Sequence, residues 1–376
     1  MMTAMAYENK LQKQIIKTEE ITKPLFIFLV ILVAFIAKVV LTFILPDKYL
    51  YDSNGIIEYA YGINAEFADK SYMFAANFYR LFCKLFHITD AKTGSIIVGV
   101  ISNLILIKVL RMIIPQKIPL KDAILVLLTV FLLNIYVFNI SKDFIQFLFD
   151  IVILLVIFKV KKIHKMIPFC LLSFIIFGMV FRSYLLIVGF LFAYFSFMNK
   201  HIKNKNIIFL VTVFLFFIVA LCLFENNRNL FEVVFNSGVA VNVGRIDSVD
   251  AQTIIVPLIN GDGYWASIAN YFINVFRLLF PIELLFDLKI SYVFFFLFNI
   301  WWFVLLVVNR KMISKNIKLK ETVYLFFSFF LTSALFEPDF GSFLRHLIPI
   351  CFLTIICVLF KNKKPKRTRK SIGYHC

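Results

Sequence analysis

The stretch LFIFLVILVAFIAKVVLTFIL, residues 25–45, holds 21 residues and a single charge, that of Lys38. A helix of about 20 apolar residues is long enough to cross the ~30 Å hydrocarbon core of a bilayer. The run is too long for the core of a signal peptide, and no small-residue cleavage site follows it. It therefore predicts a retained membrane-spanning helix.

Apolar runs of this kind recur along the 376 residues, of which 61% are hydrophobic and 48 are phenylalanine. A soluble domain is only about 45–50% apolar, and outer-membrane strands alternate over about ten residues, so both classes are excluded. We predict an all-α polytopic membrane protein, a single domain over residues 1–376 with about ten spans. The predicted spans are 24–45, 94–114, 120–139, 143–158, 166–181, 184–198, 207–224, 290–308, 322–336 and 343–360.

The charge pattern predicts the orientation of these spans. The formal net charge of +18 lies in short clusters between apolar runs rather than on one basic face, so no nucleic acid is expected as a partner. Alternate connections and the tail 361–376 (PQKIPLK, KVKKIHK, NKHIKNKN, NRKMISKNIKLK and KNKKPKRTRK) hold 21 basic residues. By the positive-inside rule both termini are cytoplasmic. Two larger loops, 46–93 and 225–289, then face outward.

Each large loop contains a segment with the pattern of an interfacial helix. Residues 265–286 are apolar enough to cross a membrane, but Arg277 and Pro281 interrupt them, and a crossing would place the basic tail outside. In the first loop, apolar residues recur at helical spacing on one face: Phe74, Phe78, Leu81 and Leu85.

Basic residues stand at or beside the outer N-termini of five spans: Lys92, Lys142, Arg182, Lys289 and Arg345. A cation is unfavourable at a helix N-terminus, whereas an anion there is stabilised by the dipole and by unpaired N–H groups. The pattern therefore suggests a bound anion. Arg182 and Arg345 indicate this most strongly, because a charge at membrane depth needs a cavity or a partner. Lys142 alternatively pairs with the adjacent Asp143.

The segment EPDFGSFLRH, residues 337–346, forms the last outer turn. Glu337 and Asp339 are candidate bases, or else they pair with Arg345 and cap the following helix. His346 is a candidate acid/base or phosphate donor, or a structural residue at the helix end. Ser342 is a candidate N-cap.

Four segments, SKDFIQFLFD, FRSYLLI, NVFRLLFPIELL and EPDFGSFLRHLIPI, resemble parts of bacterial O-antigen and capsule repeat-unit polymerases, the Wzy family. The layout of spans and the large loop in the second half are also similar. The resemblance implies a glycosyltransferase of the bacterial inner membrane that joins undecaprenyl diphosphate-linked repeat units at the periplasmic face. It implies outer-face arginines in the site, matched here by Arg182, Arg245, Arg277 and Arg345. With Lys142, these are the predicted diphosphate-binding residues.

Asp339, His346 and Asp143 are the predicted catalytic residues, a choice that the family does not fix. No CxxC, Cys/His cluster, HExxH or phosphate-binding glycine loop occurs in the sequence, so no metal and no cofactor is expected. The expected partners are the lipid-linked glycan and membrane lipid, with a chain-length regulator and a flippase.

Three other functions stay open at this point. A polyprenyl-phosphate-sugar-dependent transferase of the GT-C type would use an acid of the first outer loop, either Asp52 or Glu58. An O-antigen ligase would use the same chemistry on another acceptor. A lipid-linked oligosaccharide flippase would place charges along its central cavity, yet the deep spans are almost free of them.

Overall fold

The computed structural model describes residues 19–202, 205–235, 238, 241–242, 253–261 and 263–360. Six of its helices are long and apolar enough to cross a membrane. The prediction of an all-α membrane protein is therefore confirmed. Among the described residues, the only sheet is a two-stranded antiparallel one.

The sheet is formed by β1 (Glu20–Thr22) and β2 (Lys117–Pro119). The helices that enter the bundle are α1 (Lys23–Val39, extended by a π-helical turn to Ile44), α4 (Ala91–Ile113), α5 (Leu120–Tyr136), α6 (Lys142–Lys159), α7 (Ile163–Val180), α8 (Tyr184–His201), α9 (Lys205–Asn226), α12 (Ile290–Val308), α14 (Ile317–Phe336) and α15 (Phe340–Phe360). The connecting helices are α2 (Tyr51–Tyr61), α3 (Lys70–Leu85), α10 (Arg228–Phe235), α11 (Tyr264–Leu279) and α13 (Arg310–Lys315).

Each of the ten predicted spans lies on a helix of the bundle. The six that meet both the length and the hydropathy of a span are α1, α4, α7, α12, α14 and α15. Among the others, α5 has 17 residues, and α6 carries Asp143, Asp150 and two lysines. Both aspartates of α6 are fully buried in the protein, so this helix does not present them to lipid.

Helix α15 is the centre of the bundle. Of its span 89% is buried inside the protein, against 67% for α14 and 22–33% for the other four candidate spans. It packs against α14, α5, α6 and α12. Arg345 and His346 therefore stand on the helix that is least able to move relative to its neighbours.

Polar contacts join helix ends at both ends of the bundle. At one end, β1 precedes α1 and pairs with β2, which precedes α5. At that same end Lys318, at the start of α14, donates to the carbonyl of Val160 after α6. The opposite end therefore collects the C-termini of α5 and α14 with the N-termini of α6 and α15. Helices α2 and α3 cover it.

The two predicted interfacial segments are amphipathic surface helices. On α3, Phe78, Leu81 and Leu85 are exposed, as the spacing predicts, but Phe74, predicted on the same face, is partly buried against Phe177 and Phe181. Helix α11 ends at Leu279, just before Pro281, and exposes Trp265. Each helix has 16 residues, and neither is among the six candidate spans.

Candidate functional site

Asp143 is the centre of a cluster of charged residues, and its side chain is fully buried. It lies in the first turn of α6, whose N-cap Ser141 accepts a hydrogen bond from the Phe144 N–H at 3.1 Å. Arg182 donates from Nη2 to Asp143 Oδ1 at 2.8 Å, and Arg345 Nε lies 3.0 Å from Oδ2. One carboxylate thus forms ion pairs with two guanidinium groups from different connections.

Arg182 comes from the α7–α8 connection and is only 7% exposed. Its Nη1 donates to Gln146 Oε1 at 2.7 Å and to the Tyr184 hydroxyl oxygen at 3.1 Å. The Tyr184 hydroxyl in turn donates to Gln146 Oε1 at 2.6 Å. Both ends of the guanidinium are engaged, so Arg182 holds the site together from the inside.

Arg345 lies on the more open side of the cluster, with 29% of its side chain exposed. Its Nη1 lies 2.9 Å from Oδ2 of Asp52, which belongs to α2 in the connection between α1 and α4. The Tyr72 hydroxyl donates to the other oxygen of Asp52. Burial alone would raise the pKa of Asp52, but Arg345, Lys142 and this hydrogen bond lower it below its ordinary value. Asp52 is therefore ionised at neutral pH.

Lys142 does not pair with Asp143, the alternative left open by the sequence. Its Nζ lies 3.5 Å from the centroid of the Tyr72 ring, a cation–π contact. Within the part of the chain that the structure describes, no carboxylate forms a salt bridge with it. Lys142 is thus a half-buried cation beside the Asp52–Arg345 pair, with its charge available to a ligand.

His346 lies between two carboxylates. Its Nδ1 is 2.6 Å from Glu337 Oε1, and its Nε2 is 3.5 Å from Asp143 Oδ1. The Nε2 atom is buried without a hydrogen-bond partner, so substrate does not reach it in this conformation. The short contact is a hydrogen bond between the imidazole and the carboxyl group. His346 therefore helps to fix the orientation of the Glu337 carboxyl group.

The cluster balances its own charges when His346 is neutral: Arg182, Arg345 and Lys142 face Asp52, Asp143 and Glu337. The sequence predicts that a bound anion compensates the arginines at the helix N-termini. In the structure, the protein's own carboxylates provide most of that compensation. The exposed fraction of Arg345 and the position of Lys142 leave one side where an anion can still bind.

Two other predicted site residues have structural contacts. Asp339 Oδ1 accepts a hydrogen bond from Ser342 N at 2.7 Å, and its Oδ2 accepts from Ser342 Oγ at 3.0 Å. Since α15 begins at Phe340, the N-cap is Asp339, and the prediction of Ser342 as the cap is wrong. Arg277 forms a two-pronged pair with Glu283, with both distances at 2.7 Å.

Arg245 lies outside the described residues. Sequence reasoning missed Gln146, Tyr184 and Tyr72. The first two could have been predicted from their spacing, since Gln146 is one helical turn after Asp143 and Tyr184 is two residues after Arg182. Tyr72 had none, because only tertiary packing brings α3 to the site.

A half-buried lysine, Lys38, holds the turn that precedes the start of α6. Lys38 Nζ donates to the carbonyls of Asn134 and Phe138 at 3.0 and 2.6 Å, and to Asn139 Oδ1 at 2.8 Å. These acceptors belong to the C-terminal end of α5 and the turn after it, where the helix dipole favours a positive charge. The mid-span charge noticed in the sequence thus positions the site.

No group of three His, Cys, Asp or Glu side chains with metal-binding geometry occurs in the described ranges. Comparison of the chain with protein-family models, with curated proteins and with solved structures finds no match.

Proposed function

We propose that the chain is a polysaccharide polymerase that joins undecaprenyl diphosphate-linked oligosaccharide repeat units at the periplasmic face of the bacterial inner membrane. The observation that carries the proposal is the cluster at one end of the bundle. Two arginines, one lysine, three carboxylates and a histidine from four separate connections meet there. Charged residues collected at a membrane boundary are costly unless they serve a ligand or a reaction.

The proposal includes ten spans with both termini in the cytoplasm. The pairing of β1 with β2 supports it, because two crossings separate these strands along the chain. The cluster also supports it, since two proposed crossings separate Asp52 from Asp143 and Asp143 from Arg182, and four separate Arg182 from Arg345. If consecutive spans run in opposite directions, residues separated by an even number of spans lie on the same side of the membrane.

The diphosphate of the donor would bind beside Lys142 and Arg345. Asp52 and Tyr72 connect these two cations through the contacts described above. A partly desolvated pair of cations stabilises the charge that develops on the diphosphate as the bond from the anomeric carbon breaks. The greasy tail of the carrier would remain in the lipid next to the bundle.

Glu337 is the best-placed general base among the acids of the last outer turn. Asp339 is engaged as a helix cap, and Asp143 is enclosed by two guanidinium groups. An ion-paired, fully buried carboxylate is a weak base and does not reach a substrate. Glu337 would accept the proton of the acceptor hydroxyl, whose oxygen attacks the anomeric carbon while the diphosphate leaves. His346 positions Glu337.

The GT-C alternative gains one specific observation, because Asp52 belongs to the same cluster. In that reading Asp52 is the base. In the polymerase reading it holds Arg345. The Asp52→Asn exchange separates the two, since it removes a base outright but leaves Arg345 paired with Asp143.

The surface glycan of the source cells tests the proposal as a gel ladder. We expect single repeat units, with no ladder, in a gene deletion and in an Arg345→Ala strain with equal protein level. Arg310→Ala, an exposed arginine at the opposite end of the bundle, should give the wild-type ladder. Loss of even the single unit would indicate a flippase, a ligase or a unit-building transferase instead.

A further inference from the structure

A cavity of about 460 Å³ lies next to the charged cluster, between α10, α11, the segment 255–261 and the end of α14. Its volume is within the range of about 300–1,000 Å³ that small-molecule sites occupy. Its polar lining consists of two carboxylates, three carboxamides and one phenol: Glu232, Glu337, Asn260, Asn270, Asn274 and Tyr271.

The charge of this lining selects the class of ligand. No lysine or arginine lines the cavity among the described residues, and Glu232 and Glu337 are both acidic. Glu232 forms an ion pair with Arg228 at 3.2 Å, so Glu337 is the lining carboxylate that disfavours a diphosphate or an acidic sugar. Carboxamide and carboxylate groups, in contrast, match the hydroxyl and acetamido groups of a neutral sugar, since they supply both donors and acceptors.

The lining is held in place by hydrogen bonds of its own. The Asn270 amide bonds both backbone groups of Ile259, with its Oδ1 accepting at 3.0 Å and its Nδ2 donating at 2.8 Å. Arg277 Nη1 donates to the carbonyl of Val256 at 2.7 Å and to Asn274 Oδ1 at 3.3 Å. Arg277, predicted from the sequence to bind diphosphate, thus supports this cavity.

Glu337 belongs to both the cavity and the cluster. It lines the cavity, and its Oε1 contacts His346 Nδ1. Glu337 and His346 therefore link the cavity to Asp143, which His346 Nε2 approaches to 3.5 Å.

We propose that the cavity binds one neutral sugar unit, with one of its hydroxyl groups at Glu337. The assignment of this sugar as the acceptor end of the incoming repeat unit rests on the proposed function. The cavity then supplies the acceptor, and Lys142 and Arg345 supply the site of the leaving diphosphate.

Saturation-transfer NMR on the purified full-length protein tests this proposal, in a detergent without a sugar headgroup. The probes are glucose, galactose and N-acetylglucosamine, with glucuronic acid as the acidic counterpart. We expect saturation of at least one neutral sugar and none of glucuronic acid. Asn274→Ala and Glu337→Gln should each reduce the neutral signal at least threefold. Asn226→Ala, an exposed asparagine outside the lining, is the matched control and should not.

Absence of any neutral-sugar signal from folded wild-type protein would overturn the proposal, as would equal signals from wild type and Asn274→Ala. Gel filtration of each variant confirms that it is folded. The Arg345→Ala variant keeps this result separate from the proposed function. If that variant binds sugar and still makes a normal ladder, the polymerase site is wrong and the cavity stands. If it loses the ladder and wild type binds no sugar, only the cavity assignment fails.

Discussion

Replacing Asp143 with asparagine removes a buried negative charge while keeping the shape of the side chain. Arg182 and Arg345 would then face each other without the carboxylate that separates them. Breaking a buried ion pair from one side costs about 3–5 kcal/mol, because an uncompensated charge stays buried. Arg182 is the partner that suffers most, since it is 7% exposed whereas Arg345 is 29% exposed. We expect the unfolding free energy to fall by about that amount.

The assay is reversible unfolding of the purified protein in mixed micelles, followed by tryptophan fluorescence. A double-mutant cycle with Arg182→Gln isolates the pair. Directly contacting charges should give a coupling energy of about 1–3 kcal/mol, so the double variant should lose less stability than the sum of the single variants. Glu66→Gln, at an exposed carboxylate between α2 and α3, serves as control and should leave the unfolding free energy unchanged.

Strict additivity of the two single changes, within about 0.5 kcal/mol, would refute the reasoning. It would mean that Asp143 and Arg182 do not share a charge in the folded protein. A loss for Asp143→Asn no larger than that of the Glu66→Gln control would refute it as well.

Three further predictions follow from neighbouring contacts. The pKa of Asp52 is lowered on folding, so ionised Asp52 stabilises the folded protein above its ordinary pKa of about 3.9, and this contribution is lost as the pH falls through the lower folded value. Asp52→Asn should therefore flatten the acid side of a plot of unfolding free energy against pH. An unchanged acid side would contradict the pairing of Asp52 with Arg345. A Cβ at Gly99 would lie 2.4 Å from Lys38 Cε, so Gly99→Ala should lower the unfolding free energy by about 1–3 kcal/mol, measured by chemical unfolding. Gly55→Ala, whose added carbon meets nothing closer than 3.9 Å, should not lower it. Equal effects of the two changes would count against the Lys38 contacts. Lys142→Met should remove polymer while changing the unfolding free energy by about 1 kcal/mol or less, the size of a cation–π contact; a normal gel ladder would remove Lys142 from the site.

Local patterns in the sequence predict the helices and much of the cluster. Apolar length alone predicts every helix of the bundle, because a membrane leaves few alternatives to helical backbone. Position at the outer helix ends identifies Arg182 and Arg345, since an arginine at membrane depth needs a partner. The nature of that partner depends on how distant helices pack, and the sequence pattern points to an anion where the structure places Asp143.

Two differences between the sequence-based predictions and the structure have local causes. The side chain of an N-cap residue accepts a hydrogen bond from the backbone N–H three residues later. Asp339 stands three residues before Ser342, so the sequence DFGS itself indicates Asp339 as the cap. The resemblance predicts that Arg277 binds diphosphate, whereas in the structure it pairs with Glu283, six residues later, after the chain turns at Pro281. The contact of Arg345 with Asp52 had no local signal, because it joins residues far apart in sequence.

The most direct test of the account is polymerisation by the purified protein alone. The substrate is the lipid-linked repeat unit that the gene deletion should accumulate, labelled in its sugar and supplied in micelles without ATP or nucleotide sugar. The account predicts lipid-linked dimers and longer chains with release of undecaprenyl diphosphate from wild type, and none of these from Glu337→Gln. Failure of the folded wild-type protein to join two repeat units, or full activity of Glu337→Gln, would contradict it.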